Sequence, residues 1–166
     1  MIEPATPQDE EKRLRVLRDL GVLDTAPERE FDDIVAVARA LFDTPMAHLT
    51  LVDKDRQWLK SRIGLDGDEA PRAISFCAHA ILRETALVVP DTLEDPRFHD
   101  NPIAAQAPHV RFYVGQPIRL ADGTAIGTLC VDDIMPRDEP TQAQLDALAA
   151  LARLAADAFA RRKARK

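Results

Sequence analysis

The apolar residues between positions 31 and 42 recur as Phe31, Ile34, Val35, Ala38, Leu41 and Phe42, the spacing of one face of an α-helix. A few residues later the period is two. Over Met46–Val52, Ala47, Leu49 and Leu51 alternate with His48, Thr50 and Val52. Asp43-Thr44-Pro45 separates the two patterns and stops the helix. A chain that changes period so abruptly sets a helix directly before a strand. Beyond the turn Asp53-Lys54-Asp55, Arg56–Ile63 returns as a second strand, with Trp58, Lys60 and Arg62 predicted on one side.

The flanking segments extend this pattern. Thr6-Pro7 is placed to open a first helix, Leu14, Leu17 and Leu20 give it an apolar stripe, and Gly21 ends it. Thr25 and Glu28 are spaced as a capping box for the second helix. Gly64–Arg72 reads as a polar loop. In the following stretch, Ala73–Leu82, Ser75 is placed to cap a short helix. On that helix Phe76 and Ala80 share one face, Cys77 and Ile81 another, and His79 projects between them. Ala86–Val89 reads as a strand, and Asp91–Pro108 as irregular with turns at Asp95-Pro96 and Asn101-Pro102. Val110–Leu120 is a strand bent at Gly115 and Pro117. After the turn Asp122-Gly123, Ala125–Val131 is the last strand, with Gly127 where a neighbour comes close. Thr141 and Gln144 form a capping box for a final helix lined by Leu145, Leu148, Leu151, Ala152, Ala155 and Phe159. These elements predict one α+β domain over residues 1–166, with an antiparallel central sheet and helices on one face. Residues 1–21 carry the N-terminal helix, 22–136 the sheet and its coverings, and 140–166 the C-terminal helix with its basic tail.

Composition narrows the function classes. No run of about 18 apolar residues is present, so no membrane span is expected. The start of the chain lacks a charged-then-apolar signal pattern, which predicts a cytoplasmic location. The net charge of −6 argues against nucleic-acid binding, because phosphate contacts need clustered Lys and Arg, and the basic cluster here is confined to Arg161–Lys166. Two cysteines, Cys77 and Cys130, make no disulfide framework and match no zinc spacing, so both are expected as reduced thiols and no metal site is predicted. No phosphate loop, nucleophile elbow or metalloprotease signature occurs, so the chain is not predicted to be an enzyme.

The order of elements and several runs resemble the GAF domain family of bacterial sensors. The matching runs are Leu20–Pro27, Val52–Trp58, Lys60–Gly64, Ile74–Ile81, Arg111–Tyr113 and Gly127–Cys130. They are similar to the subgroup often found upstream of diguanylate cyclase or histidine kinase domains. The resemblance implies a GAF/PAS-like central antiparallel sheet with the N- and C-terminal helices packed on one face. It also implies a ligand cleft on the other face, covered by the central helix and the Asp91–Pro108 region. It implies a regulatory domain that binds a small-molecule effector of unknown identity and signals to a fused or separate output domain through a homodimer of the terminal helices. Leu14, Leu17, Leu148, Leu151, Ala155 and Phe159 are the candidates for that dimer interface.

The candidate ligand residues are Trp58, Phe76, Cys77, His79, Asp91, Arg111, Tyr113, Thr128 and Cys130. Arg111 and Tyr113 alternate in step on one strand face and are expected to point into the cleft, where an arginine offers a fork to a carboxylate or phosphate. The other reading of Arg111 is a structural bridge to Asp91 or Asp95. Trp58 either touches ligand or packs under the Gly64–Arg72 loop. Cys77 is either a thiolate stabilised by the His79 imidazolium or a packed thiol. A bilin, the tetrapyrrole that some sensors of this fold attach to a cysteine directly followed by histidine, is not expected, because Ala78 intervenes here. Two alternatives to the ligand sensor stand: a thiol-based redox sensor or reductase using Cys77, and a dimerisation module with no ligand.

Overall fold

A computed structural model describes residues 1–165; Lys166, the last residue of the basic tail, lies outside the described residues. The hairpin predicted from the change of period is present. Strand β1, Met46–Val52, pairs antiparallel with β2, Arg56–Ile63. The Gly64–Arg72 segment is not wholly loop, since Glu69–Pro71 adds a short strand β3 to the outer side of β2. Leu87–Val89, Phe112–Arg119 and Ala125–Asp133 are β4, β5 and β6. All neighbours are antiparallel and the order is β3-β2-β1-β6-β5-β4, so β1 and β6 lie at the centre.

The two faces of the sheet separate two apolar layers. Ala47, Leu49 and Leu51 of β1 and Ile126, Leu129 and Val131 of β6 face helices α1 (Glu10–Asp19), α2 (Arg29–Phe42) and α5 (Gln142–Ala164). Phe31 of α2 and Phe159 of α5 stack there with ring centroids 4.4 Å apart. Each buried ring of this size contributes about 1.5–3 kcal/mol by leaving water. The opposite face carries α3 (Phe76–Ala80) and α4 (Pro102–Ala105) and a second layer built from Phe76, Phe98, Tyr113 and Cys130. This is the predicted α+β architecture.

Local signals were read correctly where the side chain had no competing partner. Ser75 accepts the Ala78 amide and caps α3, and Thr141 with Gln144 forms a complete capping box at α5. Gly21 ends the first helix with φ of 60°. Two helix starts differ from expectation. The first helix begins at Glu10 rather than Pro7, with Asp9 before it and no side-chain cap. At α2 the Thr25–Glu28 box does not form: Glu28 precedes the helix, but its carboxylate lies 2.6 Å from Lys60 Nζ and 2.8 Å from Arg162 Nε. Thr25 donates instead to the Val22 carbonyl. Two cations outcompete a backbone amide for one carboxylate.

The stripe assigned to a dimer is consumed by the fold itself. Leu14, Leu17, Leu148, Ala155 and Phe159 are each no more than 8% exposed within one chain, and Leu151 is half-buried against the same layer. A helix lying on a sheet uses its apolar face there first. The outward apolar residues of α2 and α5 are Val37 and Leu154, 54% and 53% exposed. The basic tail is likewise engaged, with Arg161 on Glu30 and Arg162 on Glu28.

Acid will loosen these contacts. Burial would raise the Glu28 carboxyl, but Lys60 and Arg162 hold it below its ordinary 4.5, and Arg13 and Arg72 do the same for Glu10. A carboxylate with a lowered folded pKa adds stability that is present above the unfolded value and is lost as pH falls toward the folded one. Thermal unfolding followed by circular dichroism is expected to show a midpoint that declines once pH drops below about 4.5. A flat midpoint between about pH 5 and pH 3 would show that these pairs contribute nothing.

Candidate functional site

Alternation along three neighbouring strands delivers a set of polar side chains to the face away from the terminal helices. On β1 these are His48 and Thr50, on β6 Thr128, Cys130 and Asp132, and on β5 Tyr113. Cys130 sits directly between His48 and Gly115 in the register. Gly115 matters because a Cβ there would lie 2.2 Å from the Tyr113 hydroxyl. Without one, the phenol folds along its own strand toward the sulfurs. Helix α3, held by the Ser75 cap, lowers Cys77 onto the same spot.

The resulting cluster is tightly connected. The sulfurs of Cys77 and Cys130 are 3.6 Å apart. The Tyr113 hydroxyl donates to Cys77 Sγ at 3.3 Å and lies 3.2 Å from Cys130 Sγ, and Thr128 Oγ1 is 3.0 Å from Cys130 Sγ. His48 Nε2 meets Asp132 Oδ2 at 2.9 Å and Nδ1 meets Thr50 Oγ1 at 2.6 Å. The other carboxylate oxygen, Asp132 Oδ1, is buried without a hydrogen-bond partner.

The electrostatics follow from this packing. Burial opposes charge on His48, but the Asp132 carboxylate beside it outweighs burial and raises the imidazole to about 9. Burial also opposes a Cys77 thiolate. Bonds from Cys130, Thr128 and Tyr113 together with the His48 charge outweigh it and lower Cys77 to about 6. Burial pushes the Cys130 thiol up, and the Cys77 charge adds to that. The packing therefore favours charge on His48 beside Asp132 and favours a thiolate at Cys77 over one at Cys130.

Above the cluster is a cavity of about 420 Å³. His48, Cys77, Tyr113 and Asp132 line its floor, Gly64–Gly67 and Ala70 one wall, and Ile103 with Ala107 and Pro108 another. The GAF domain family model matches residues 26–159.

The chain belongs to the GAF domain family. It is also 40% identical over 154 residues to a cyclic di-GMP phosphodiesterase of Pseudomonas aeruginosa, an alignment that takes in 93% of this chain and 26% of that protein. The chain thus spans about a quarter of that relative's length. Among solved structures, the GAF domain of an Acinetobacter phosphoenolpyruvate-protein phosphotransferase superposes with a TM-score of 0.67 at 16% identity, covering 96% of this chain and 97% of that one. The free methionine-R-sulfoxide reductase of Neisseria meningitidis, in complex with its substrate, gives 0.67 at 20% identity, covering 100% and 99%. At these identities the structural likenesses establish the shared fold. GAF domains form a family of signalling sensor domains.

In this GAF domain the predicted ligand residues divide. Phe76, Cys77 and Tyr113 line the cavity, and Cys130 and Thr128 lie in the layer beneath it. Trp58 does not: it packs in the helix-side layer. The register shift between Leu49 and Thr50 places Lys60 and Ser61 together on the helix side, where they meet Glu28 and Asp32. Arg62, predicted on the Trp58 side, crosses to the other face and bonds Leu65 and Asp68. Arg111 and Asp91 do not line this cavity either. They form a two-bond pair, at 3.0 and 2.9 Å, which is the structural bridge left open by the sequence. His79 bonds the Ile2 carbonyl and sits edge-on to Phe98, so the imidazolium next to Cys77 is that of His48. Sequence reasoning missed His48 and Asp132. Their only signal was a charged or titratable side chain inside strands that are mostly apolar.

Proposed function

We propose that this GAF domain is the sensory, small-molecule-binding unit of a bacterial signalling protein. The observation that carries this reading is the cavity of about 420 Å³ on the sheet face opposite the terminal helices, floored by charged groups that include the unpartnered Asp132 Oδ1. Its volume lies in the ordinary range for ligand pockets. The ligand would be a small molecule with a donor group for Asp132 and an apolar part for Leu65, Phe76 and Ile103. Binding would favour one of two arrangements of the terminal helices. Those helices would act on an output domain, fused or separate, in a cytoplasmic homodimer. Its interface would use the outer face of α5 around Leu154 rather than the stripe covered by the sheet. The cyclic di-GMP phosphodiesterase relative supports a signalling role.

A second reading has its own observation, the 3.6 Å separation of the two sulfurs. In a redox sensor the Cys77 thiolate would attack a peroxide, forming a sulfenic acid and releasing the other oxygen as water or alcohol. Cys130 would then displace the new hydroxyl as water to close a disulfide.

Native and denaturing mass spectra of the freshly purified protein, before and after hydrogen peroxide, test both readings and the oligomeric state. The sensor reading expects an extra mass that is lost on denaturation. Absence of any extra mass, together with no shift in unfolding temperature across a metabolite library, would overturn it. The redox reading expects the loss of two hydrogen atoms with peroxide, abolished in Cys130→Ser.

A further inference from the structure

We propose that His48, Cys77 and Cys130 form a binding site for a thiophilic divalent cation, zinc in the first instance, at the floor of the cavity. The three residues come from β1, α3 and β6, too far apart in sequence for any metal motif. Folding nevertheless brings a ring nitrogen of His48 and both sulfurs within 4.8 Å of one another, all three buried. Two sulfurs and an imidazole are the donors that zinc selects over calcium or magnesium, which require oxygen. The sulfur separation is already close to what a metal needs. With zinc–sulfur bonds of about 2.3 Å, tetrahedral geometry sets the sulfurs about 3.8 Å apart, and they stand at 3.6 Å here.

Two independent features extend this beyond a cluster of donors. Asp132 grips His48 Nε2 at 2.9 Å, the carboxylate–imidazole pairing that orients a histidine ligand in metal sites, so the donor is Nδ1, which zinc would take over from Thr50 Oγ1, 2.6 Å away. Its second oxygen is buried without a hydrogen-bond partner, on a residue that lines the cavity, which leaves a carboxylate oxygen free to face a cation. Access is also provided, because His48 and Cys77 line the cavity while Cys130 lies behind them. A cation held there has three protein donors and one side open to the cavity, the arrangement of a site that can take a further donor from a bound molecule. The proposal does not depend on what that molecule is, or on whether the cavity binds one.

The test is titration of zinc ion into the reduced, metal-stripped protein against a chromophoric chelator, with cobalt ion as a spectroscopic substitute. The expected result is one zinc per chain, with cobalt giving a sulfur-to-metal charge-transfer band and the strong visible bands of a tetrahedral centre. Cys77→Ser and Cys130→Ser are each expected to weaken binding roughly 100-fold or more. X-ray absorption on the zinc-loaded parent protein needs no variant, and two sulfur neighbours are expected. Substoichiometric binding, or a zinc shell of oxygen and nitrogen alone, would overturn the proposal.

Discussion

Gly127→Ala is expected to leave little folded protein. Gly127 lies on β6 opposite Leu51, in the central pair of the sheet. A Cβ built there would stand 1.9 Å from the Thr50 carbonyl oxygen and 2.9 Å from both the Leu51 Cα and the Thr50 carbonyl carbon. All three are backbone atoms of β1, so no rotamer change relieves the clash. The strands must separate, and the pairing of His48 with Cys130 and Thr50 with Thr128 goes with them. A cost of about 4 kcal/mol or more belongs to the rare severe class of substitutions and takes a large share of a typical domain's 5–15 kcal/mol. For a chain of this length it lowers the unfolding midpoint by roughly 10 °C or more. Gly123→Ala is the control. Nothing lies within 4 Å of its Cβ position, so only its φ of 87° opposes alanine, at about 1–2 kcal/mol. Equal midpoints for the two variants in thermal circular dichroism would refute the close-approach account.

Glu28→Gln has the next largest expected effect. Lys60 has a side chain with no solvent exposure, and its ammonium lies 2.6 Å from Glu28, 2.6 Å from the Ala26 carbonyl and 2.8 Å from Thr25 Oγ1. Removing the carboxylate leaves that charge buried with neutral partners only, which costs about 3–5 kcal/mol. Arg162 loses the same partner but keeps the Leu20 and Gly21 carbonyls. The double variant Glu28→Gln with Lys60→Met is therefore expected to recover most of the loss, because no unpaired charge remains inside. Chemical denaturation of the parent, the single and the double variant measures this directly. A single variant within about 1 kcal/mol of the parent would show that the cluster contributes little. The cluster also joins the end of α5 to the connection between α1 and α2 and to β2.

The extent to which the sequence was legible varies with the range of the interactions involved. The period change across Asp43–Pro45, the two turns that close hairpins, the Ser75 cap and the Thr141–Gln144 box depend on residues at most a few positions apart. Local sterics and hydrogen bonding suffice for these, and they established an α+β chain with an antiparallel sheet. The alternation of β1 was correct for the same reason, with His48 and Thr50 opposite Leu49 and Leu51.

Pairing across the fold decided the rest. The bulge at Lys60–Ser61 moved Arg62 to the other face, and only the register with β1 fixes a bulge. Glu28 left its expected cap because Lys60 and Arg162 reach it from positions 32 and 134 residues away. The site was hidden most completely. Cys77 and His79 are near neighbours in sequence, yet two steps along α3 turn them to different sides of the helix and different surroundings. The imidazolium that acts on Cys77 comes instead from β1, and the second thiol from β6. The sequence determined which side chains each strand could offer to a face. Strand order and the seating of α3 decided which of them meet, because the electrostatics of a buried site fall off within a few ångströms and only the tertiary structure sets those distances.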